Sequence, residues 1–275
     1  MPRRIVLLLF AVGAGIAGLA SAQTPVITPG GTVSAASFAP GQPVAPGSLV
    51  AIFGNQFAGS LASADTVPLS TTLSNTSVSF NGIAAPLNFV APGQINAQVP
   101  YEVLPAGMNG AVNVVVTRNG VASAPDPVNI TQFAPGVFAA NGHAIAIIAT
   151  DPNDTARFAK LAAPAGSIPG LTTVPARPGD ALIIYATGLG AVTPAVQSGH
   201  DSLDQLRRTN STPTVLIGNV PATVFFSGLT PNFPGIYQLN VTVAAGTPVG
   251  DAQPLVIQIG GVTSPATATV AISAQ

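Results

Sequence analysis

Apolar and polar residues alternate along several short runs of this chain: Ser77-Val78-Ser79-Phe80, Val112-Asn113-Val114-Val115-Val116-Thr117, Thr214-Val215-Leu216-Ile217, Leu239-Asn240-Val241-Thr242-Val243 and Leu255-Val256-Ile257-Gln258-Ile259. A period of two puts every second side chain on one face, the mark of a half-buried strand. Pro and Gly punctuate the sequence between these runs. In a helix interior Pro costs about 3 kcal/mol and Gly about 1 kcal/mol relative to Ala, so long helices are improbable. Many short antiparallel strands without helical crossovers predict a β-sandwich. Asn81-Gly82 and Asn119-Gly120 tolerate positive φ at both residues, as a two-residue hairpin turn requires. They predict one hairpin of strands 78–80 and 84–90 and another of strands 112–117 and 121–123.

The pattern is written twice. Pro46-Gly47-Ser48-Leu49-Val50-Ala51-Ile52-Phe53 aligns with Pro178-Gly179-Asp180-Ala181-Leu182-Ile183-Ile184-Tyr185. Val78 to Ala85 aligns with Val215 to Ala222, and Gln94 to Val99 with Gln238 to Val243. Asn119 to Ser123 aligns with Gly260 to Ser264, and the order of blocks is the same in both copies. This predicts an all-β chain of two tandem immunoglobulin-like β-sandwich domains, residues 33–132 and 176–273.

Residues 133–175 form a less regular connection. It contains a hairpin turning at Asn141-Gly142 and a short helix from Asp154 through Ala163, N-capped by Asp154. Ala162 to Pro178 is the expected linker. A second short helix is expected over Ser202 to Arg208, where Ser202 and Gln205 have capping-box spacing.

At the amino terminus, Met1-Pro2-Arg3-Arg4 is basic, Ile5 to Leu19 is apolar and Ala20-Ser21-Ala22 is a small-x-small site. These are the parts of a secretory signal peptide, residues 1–22, cleaved after Ala22. The apolar run is too short for the roughly 20 residues that span a bilayer. The expected mature protein has no membrane span and is secreted, periplasmic or at the cell surface.

Composition narrows the chemistry. Only 6% of residues are charged and the formal net charge is −1, with Lys160 the one lysine, so there is no basic footprint for nucleic acid. There is no Cys, which removes disulfides, thiolate metal sites and Cys nucleophiles together. His143 and His200 lie in separate regions and read as solvated loop residues. Ser48 has no base near it in sequence, and its aligned counterpart is Asp180, so it reads as a turn residue. Most carboxylates, such as Asp126, Asp151, Asp180 and Asp251, neighbour Pro, Gly or Asn and read as turn chemistry. Asp151, Asn153 and Asp154 are too few oxygens for calcium and read as an Asx-turn with a cap. No catalytic, cofactor-binding or metal-binding residue is nominated, and no cofactor is expected.

Four strings are long and particular: Ala45 to Gly54, Asn88 to Val103, Tyr185-Ala186-Thr187-Gly188-Leu189-Gly190 and Gly235 to Val241. Together they resemble an uncharacterised C-terminal domain family of acidobacterial secreted proteins, whose halves are similar to IPT/TIG-type immunoglobulin-like domains. The resemblance covers about residues 33 to 273. It implies a double immunoglobulin-like sandwich and supplies no site residues.

The expected function is therefore non-catalytic interaction or adhesion with a protein or polysaccharide outside the cytoplasm, in an unknown oligomeric state. Two alternatives stand beside it. One is a structural spacer or envelope component without a ligand; the other is an exported hydrolase whose site gathers Asp151, His143 or Asp180 between the modules. There is no Trp, and the candidate exposed contact is Tyr101 with Glu102, after Pro100 at a strand end. Sheet edges are expected to offer unpaired backbone groups to a partner strand.

Overall fold

The computed structural model describes residues 23–274. The expected signal peptide, residues 1–22, lies outside the described residues. Everything described is β-structure, turn or irregular chain, and the strands close around two main apolar cores.

In the first lobe a five-stranded sheet runs in the order Val26–Ser34, Leu49–Asn55, Gln94–Gln98, Leu87–Val90, Ala62–Ser63. The facing sheet is centred on Gly110–Arg118, which pairs with Thr76–Phe80 on one side and with Asp126–Ile130 and Val121–Ala122 on the other. Val50, Ile52, Phe80, Leu87, Ile95 and Val114 fill the space between the sheets and are fully excluded from solvent. The alternation seen in sequence is the cause: Thr76–Phe80 reads buried, half-buried, buried, half-buried, buried.

The second lobe repeats this arrangement at the level of register. Val50 faces Ala97 and Ile52 faces Ile95; the aligned residues Leu182 and Ile184 face Val241 and Leu239. Val78 faces Val116, and Val215 faces Ile257. The turns agree as well. The Ala45 amide donates to Ser48 Oγ at 3.3 Å, and the Arg177 amide donates to Asp180 Oδ2 at 2.7 Å. Gly47 and Gly179 then donate their amides to the carbonyls of Val99 and Val243, each at 2.8 Å. Ser123 Oγ accepts the Val116 amide at 3.1 Å and Ser264 Oγ accepts that of Ile257 at 3.0 Å. Ser48 and the Asp180 carboxylate are thus turn residues.

The second lobe differs in one respect from a sandwich of two separate sheets. Val220–Leu229 pairs with Thr214–Ile217 at its start and with Tyr237–Thr242 along its length, with an irregularity between Val224 and Phe226. One bent strand therefore belongs to both layers, and the hydrogen bonding is continuous around the core.

Several local expectations change. The 78–80 strand keeps its tight hairpin, with Asn81 at φ 47° and Gly82 at φ 81°, but its partner is only Ile83–Ala84. The chain then crosses to the other sheet, where Leu87–Val90 pairs with Gln94–Gln98. No helix forms at Asp154 to Ala163. The Phe158 amide bonds to the Asp154 carbonyl at 2.7 Å, but Ala159 turns to φ 59° and Leu161–Ala162 becomes a strand. A single turn fixes too many dihedrals for one bond, and Arg157 is instead drawn to Asp180 and the Pro175 carbonyl. Ser202 to Arg208 is likewise not helical: Ser202 Oγ donates to the Gln205 carbonyl, and Arg208–Thr209 pairs as a strand. Nor is 133–175 a detached connection. Its hairpin forms at Asn141-Gly142, and its strands join the second lobe's sheet, with Ala146, Ala162 and Ala163 fully buried.

Candidate functional site

The outer face of the five-stranded sheet meets the second lobe. The Leu49 amide donates to Thr187 Oγ1 at 2.9 Å, and that hydroxyl donates to the Gly235 carbonyl at 2.9 Å. Gln98 is fully buried beside them. Its Nε2 donates to the Gly47 carbonyl at 3.1 Å, and its Oε1 accepts the Gly199 amide at 2.6 Å. The Leu69 amide donates back to the Gly199 carbonyl at 2.9 Å.

Tyr101 and Glu102 belong to this junction, which corrects the expectation of an exposed aromatic contact. The Tyr101 ring lies across Gly47, where an added Cβ would come within 2.1 Å of it. The ring is half-buried and its hydroxyl completely so, set against the Tyr237 hydroxyl without a well-formed hydrogen bond of its own. Burial pushes the Tyr101 phenol up to about 12. Burial likewise raises that of Tyr237, whose hydroxyl donates to the Gly190 carbonyl. Glu102 keeps an exposed carboxylate, and its Oε2 accepts from Ser198 Oγ at 2.8 Å while Ser198 Oγ accepts the Tyr101 amide at 2.9 Å. One side of Tyr101 also borders an apolar hollow of about 300 Å³ beside Leu104, Pro105 and the exposed Met108.

Next to the junction the lobes part into a wider cleft of about 570 Å³. From the first lobe come Phe38, Asp65, Asn88 and Asn96; from the second come Phe138, Asn232 and Phe233. Phe38 is 52% exposed and Phe233 58%, so two large rings are presented to solvent. Phe38 sits at φ 52°, a left-handed conformation that a bulky side chain adopts at a cost of about 1–3 kcal/mol. Its ring rests at a tilt against Phe53, centroids 6.3 Å apart. Asn88 occupies a register shift between Leu87 and Phe89, and bulges of this kind re-aim a side chain. No Lys, Arg or His lines the cleft, and Asp65 is its one charged residue.

The other sequence candidates lie elsewhere. His143 is half-buried with Nδ1 3.2 Å from Thr269 Oγ1. Asp180 is buried and held by Arg157 and by Thr150 Oγ1 at 2.9 Å. Asp151 is exposed and accepts the Asn153 amide at 2.9 Å, an Asx-turn. None of the three reaches the cleft between the lobes. His200 borders a separate surface hollow with Asp201, Asp204 and Arg207, where a hydrogen bond from the Arg207 guanidinium lowers the Asp204 carboxyl. Among the described residues no three His, Cys, Asp or Glu side chains are grouped to hold a metal, and no helix is long and apolar enough to cross a membrane.

Residues 32–132, the first lobe, match the IPT/TIG domain. No curated protein matches the chain. Among solved structures it is similar to the plexin A4 extracellular region, at 13% identity and a TM-score of 0.26, over 94% of this chain and 19% of that one. A surface glycan-binding protein from Prevotella bryantii matches at 11% identity and 0.26, over 88% and 41%. Domains 5-6 of the S-layer protein SbsC match at 16% identity and 0.24, over 92% and 100%. The chain thus spans less than half the length of the first two. Superpositions this loose say nothing of ligand. The architecture is all-β, with sandwich-type sheets of the IPT/TIG and immunoglobulin-like kind.

Sequence reasoning did not find Phe38, Phe233, Asn88 or Asn96. Phe38 stands in Ala36-Ser37-Phe38-Ala39-Pro40-Gly41, a bulky aromatic within turn residues rather than a strand, and that misplacement was the legible signal.

Proposed function

We propose that this chain is a non-catalytic exported protein whose two lobes mediate interaction or adhesion outside the cytoplasm, secreted, periplasmic or at the cell surface. The observation that carries the reading is the cleft between the lobes, where Phe38 and Phe233 are held out to solvent beside a hydrogen-bonded joint. Pockets at domain junctions with a few convergent polar groups are the usual place for a ligand. The signal-like amino terminus supports export, and the strings quoted above support kinship with the C-terminal modules of acidobacterial secreted proteins.

Contact by strand addition is disfavoured by the edges themselves. Val26–Ser34 is interrupted between Ile27 and Thr32, the Gly30 amide is given to Asp126 Oδ1 at 3.1 Å, and Ala62–Ser63 and Thr173–Val174 are two residues each.

The test is binding of immobilised residues 23–275 to cell-envelope protein and polysaccharide fractions. Saturable binding that the Phe38→Ala, Phe233→Ala double variant loses supports the reading; no binding to either fraction overturns it. A rigid spacer without a ligand is the second reading. It is favoured by Leu49, Thr187 and Gln98, whose buried hydrogen bonds hold the lobes together.

A further inference from the structure

The cleft does more than present apolar surface, and its chemistry selects among polymers. We infer that it binds a neutral oligosaccharide. This rests on the interaction reading above and specifies its ligand class. A sugar ring has C–H faces that pack on aromatic rings and a rim of hydroxyls that both donate and accept hydrogen bonds. Phe38 and Phe233 supply exposed rings. Around them stand groups suited to hydroxyls. Asn96 Oδ1 is taken by Gln94 Nε2 at 2.7 Å, which leaves the Asn96 NH₂ group to donate. Asn88, re-aimed at the break in register, and Asp65 make no side-chain hydrogen bond among the described residues, so an amide and a carboxylate acceptor stand ready.

Charge decides against the rivals. With no cation in the lining, a uronic acid, sulfated sugar, phosphate or acidic peptide finds no counter-ion there. The edges disfavour an extended peptide, which adds to a sheet through its backbone. A volume of about 570 Å³ accommodates a few sugar units rather than a folded domain.

The experiment uses residues 23–275 on an array of neutral gluco-, manno-, galacto- and xylo-oligosaccharides beside uronic and sulfated ones. Affinity is then measured by calorimetry on the best responder. The expected result is binding to one or more neutral members, weakened at least tenfold by Phe38→Ala or by Asn88→Ala with an unchanged melting temperature. The affinity should also be nearly constant from about 50 to about 500 mM NaCl, because no ion pair is screened. Binding confined to anionic glycans, or neutral binding indifferent to Phe38, Phe233 and Asn88, overturns the inference. So does an array without response while an envelope protein binds through Phe38 and Phe233; that outcome leaves the interaction reading standing. Asn88→Gln keeps the amide but moves it, so weakening by this variant separates placement from a general loss of polarity.

Discussion

Leu49 of the first lobe donates a hydrogen bond from its backbone N–H to Thr187 Oγ1 of the second, and the Thr187 hydroxyl in turn donates one to the Gly235 carbonyl. One buried hydroxyl therefore satisfies two main-chain groups that belong to different lobes. Thr187→Val keeps the shape and leaves both unpaired, at a cost of about 1–3 kcal/mol for each buried group. The expected outcome in calorimetry is a lower first transition and a split of the melting peak, as the lobes unfold less cooperatively. A single unshifted peak would mean that Thr187 does not couple them.

Arg157 and Asp180 make a second test. The carboxylate is buried, capping the turn at Arg177, and the guanidinium holds the 150s loop against it. Asp180→Ala removes both functions and strands Arg157, so a loss of about 3–5 kcal/mol is expected in denaturant unfolding. Asp180→Ser imports the residue that caps the same turn in the first lobe, at Ser48, and should recover part of the loss. Equal losses for the two variants would remove the equivalence of Ser48 and Asp180.

Two glycines with nearly equal φ should respond differently. Gly82, at φ 81°, has open space around it, and Gly82→Val costs only the backbone strain, about 1–3 kcal/mol. Gly47, at φ 79°, lies under the Tyr101 ring, so Gly47→Ala adds a steric clash to the same strain and displaces Tyr101 from the junction. Melting temperatures should fall for both and further for Gly47→Ala. An unchanged melt for Gly82→Val would remove the hairpin assignment.

The paired phenols predict a pH limit. The folded Tyr101 phenol is raised to about 12 from 10, so between these values the unfolded chain has lost a proton that the folded chain keeps. Stability is fully present below pH 10 and is lost as pH rises through 12. Tyr101→Phe should flatten this alkaline decline and cost little at neutral pH, since its hydroxyl makes no well-formed hydrogen bond. Tyr237→Phe, which orphans the Gly190 carbonyl, should be the more damaging at neutral pH. Denaturant midpoints across pH 8 to 12 check both signs.

What could be read in advance followed the range of each interaction. The hairpin at Asn141-Gly142 and the correspondence of Val50 with Leu182 and of Ala97 with Val241 between the two copies depend on neighbours in sequence or on period-two burial. The helices at Asp154 and Ser202 failed because a one-turn preference is small beside a distant partner, Asp180 for Arg157 and the strand Val192–Thr193 for Arg208–Thr209. Tyr101, a candidate exposed contact from sequence, is instead half-buried with its hydroxyl enclosed at the joint. Whether a strand-end aromatic meets solvent depends on a glycine and a tyrosine 54 and 136 positions away in the chain, Gly47 and Tyr237.

The amino-acid sequence by itself determined the strands, their turns and their duplication, because alternation of burial and positive-φ residues are local properties that act before any tertiary contact. Only the tertiary structure decided how the lobes are joined and that Phe38, Phe233, Asn88 and Asn96 share one cleft. Asn88 and Asn96 sit on paired strands of one sheet, but Phe38 comes from a separate turn and Phe233 from the other lobe, and their meeting depends on how the two finished lobes pack, which no short stretch of sequence encodes.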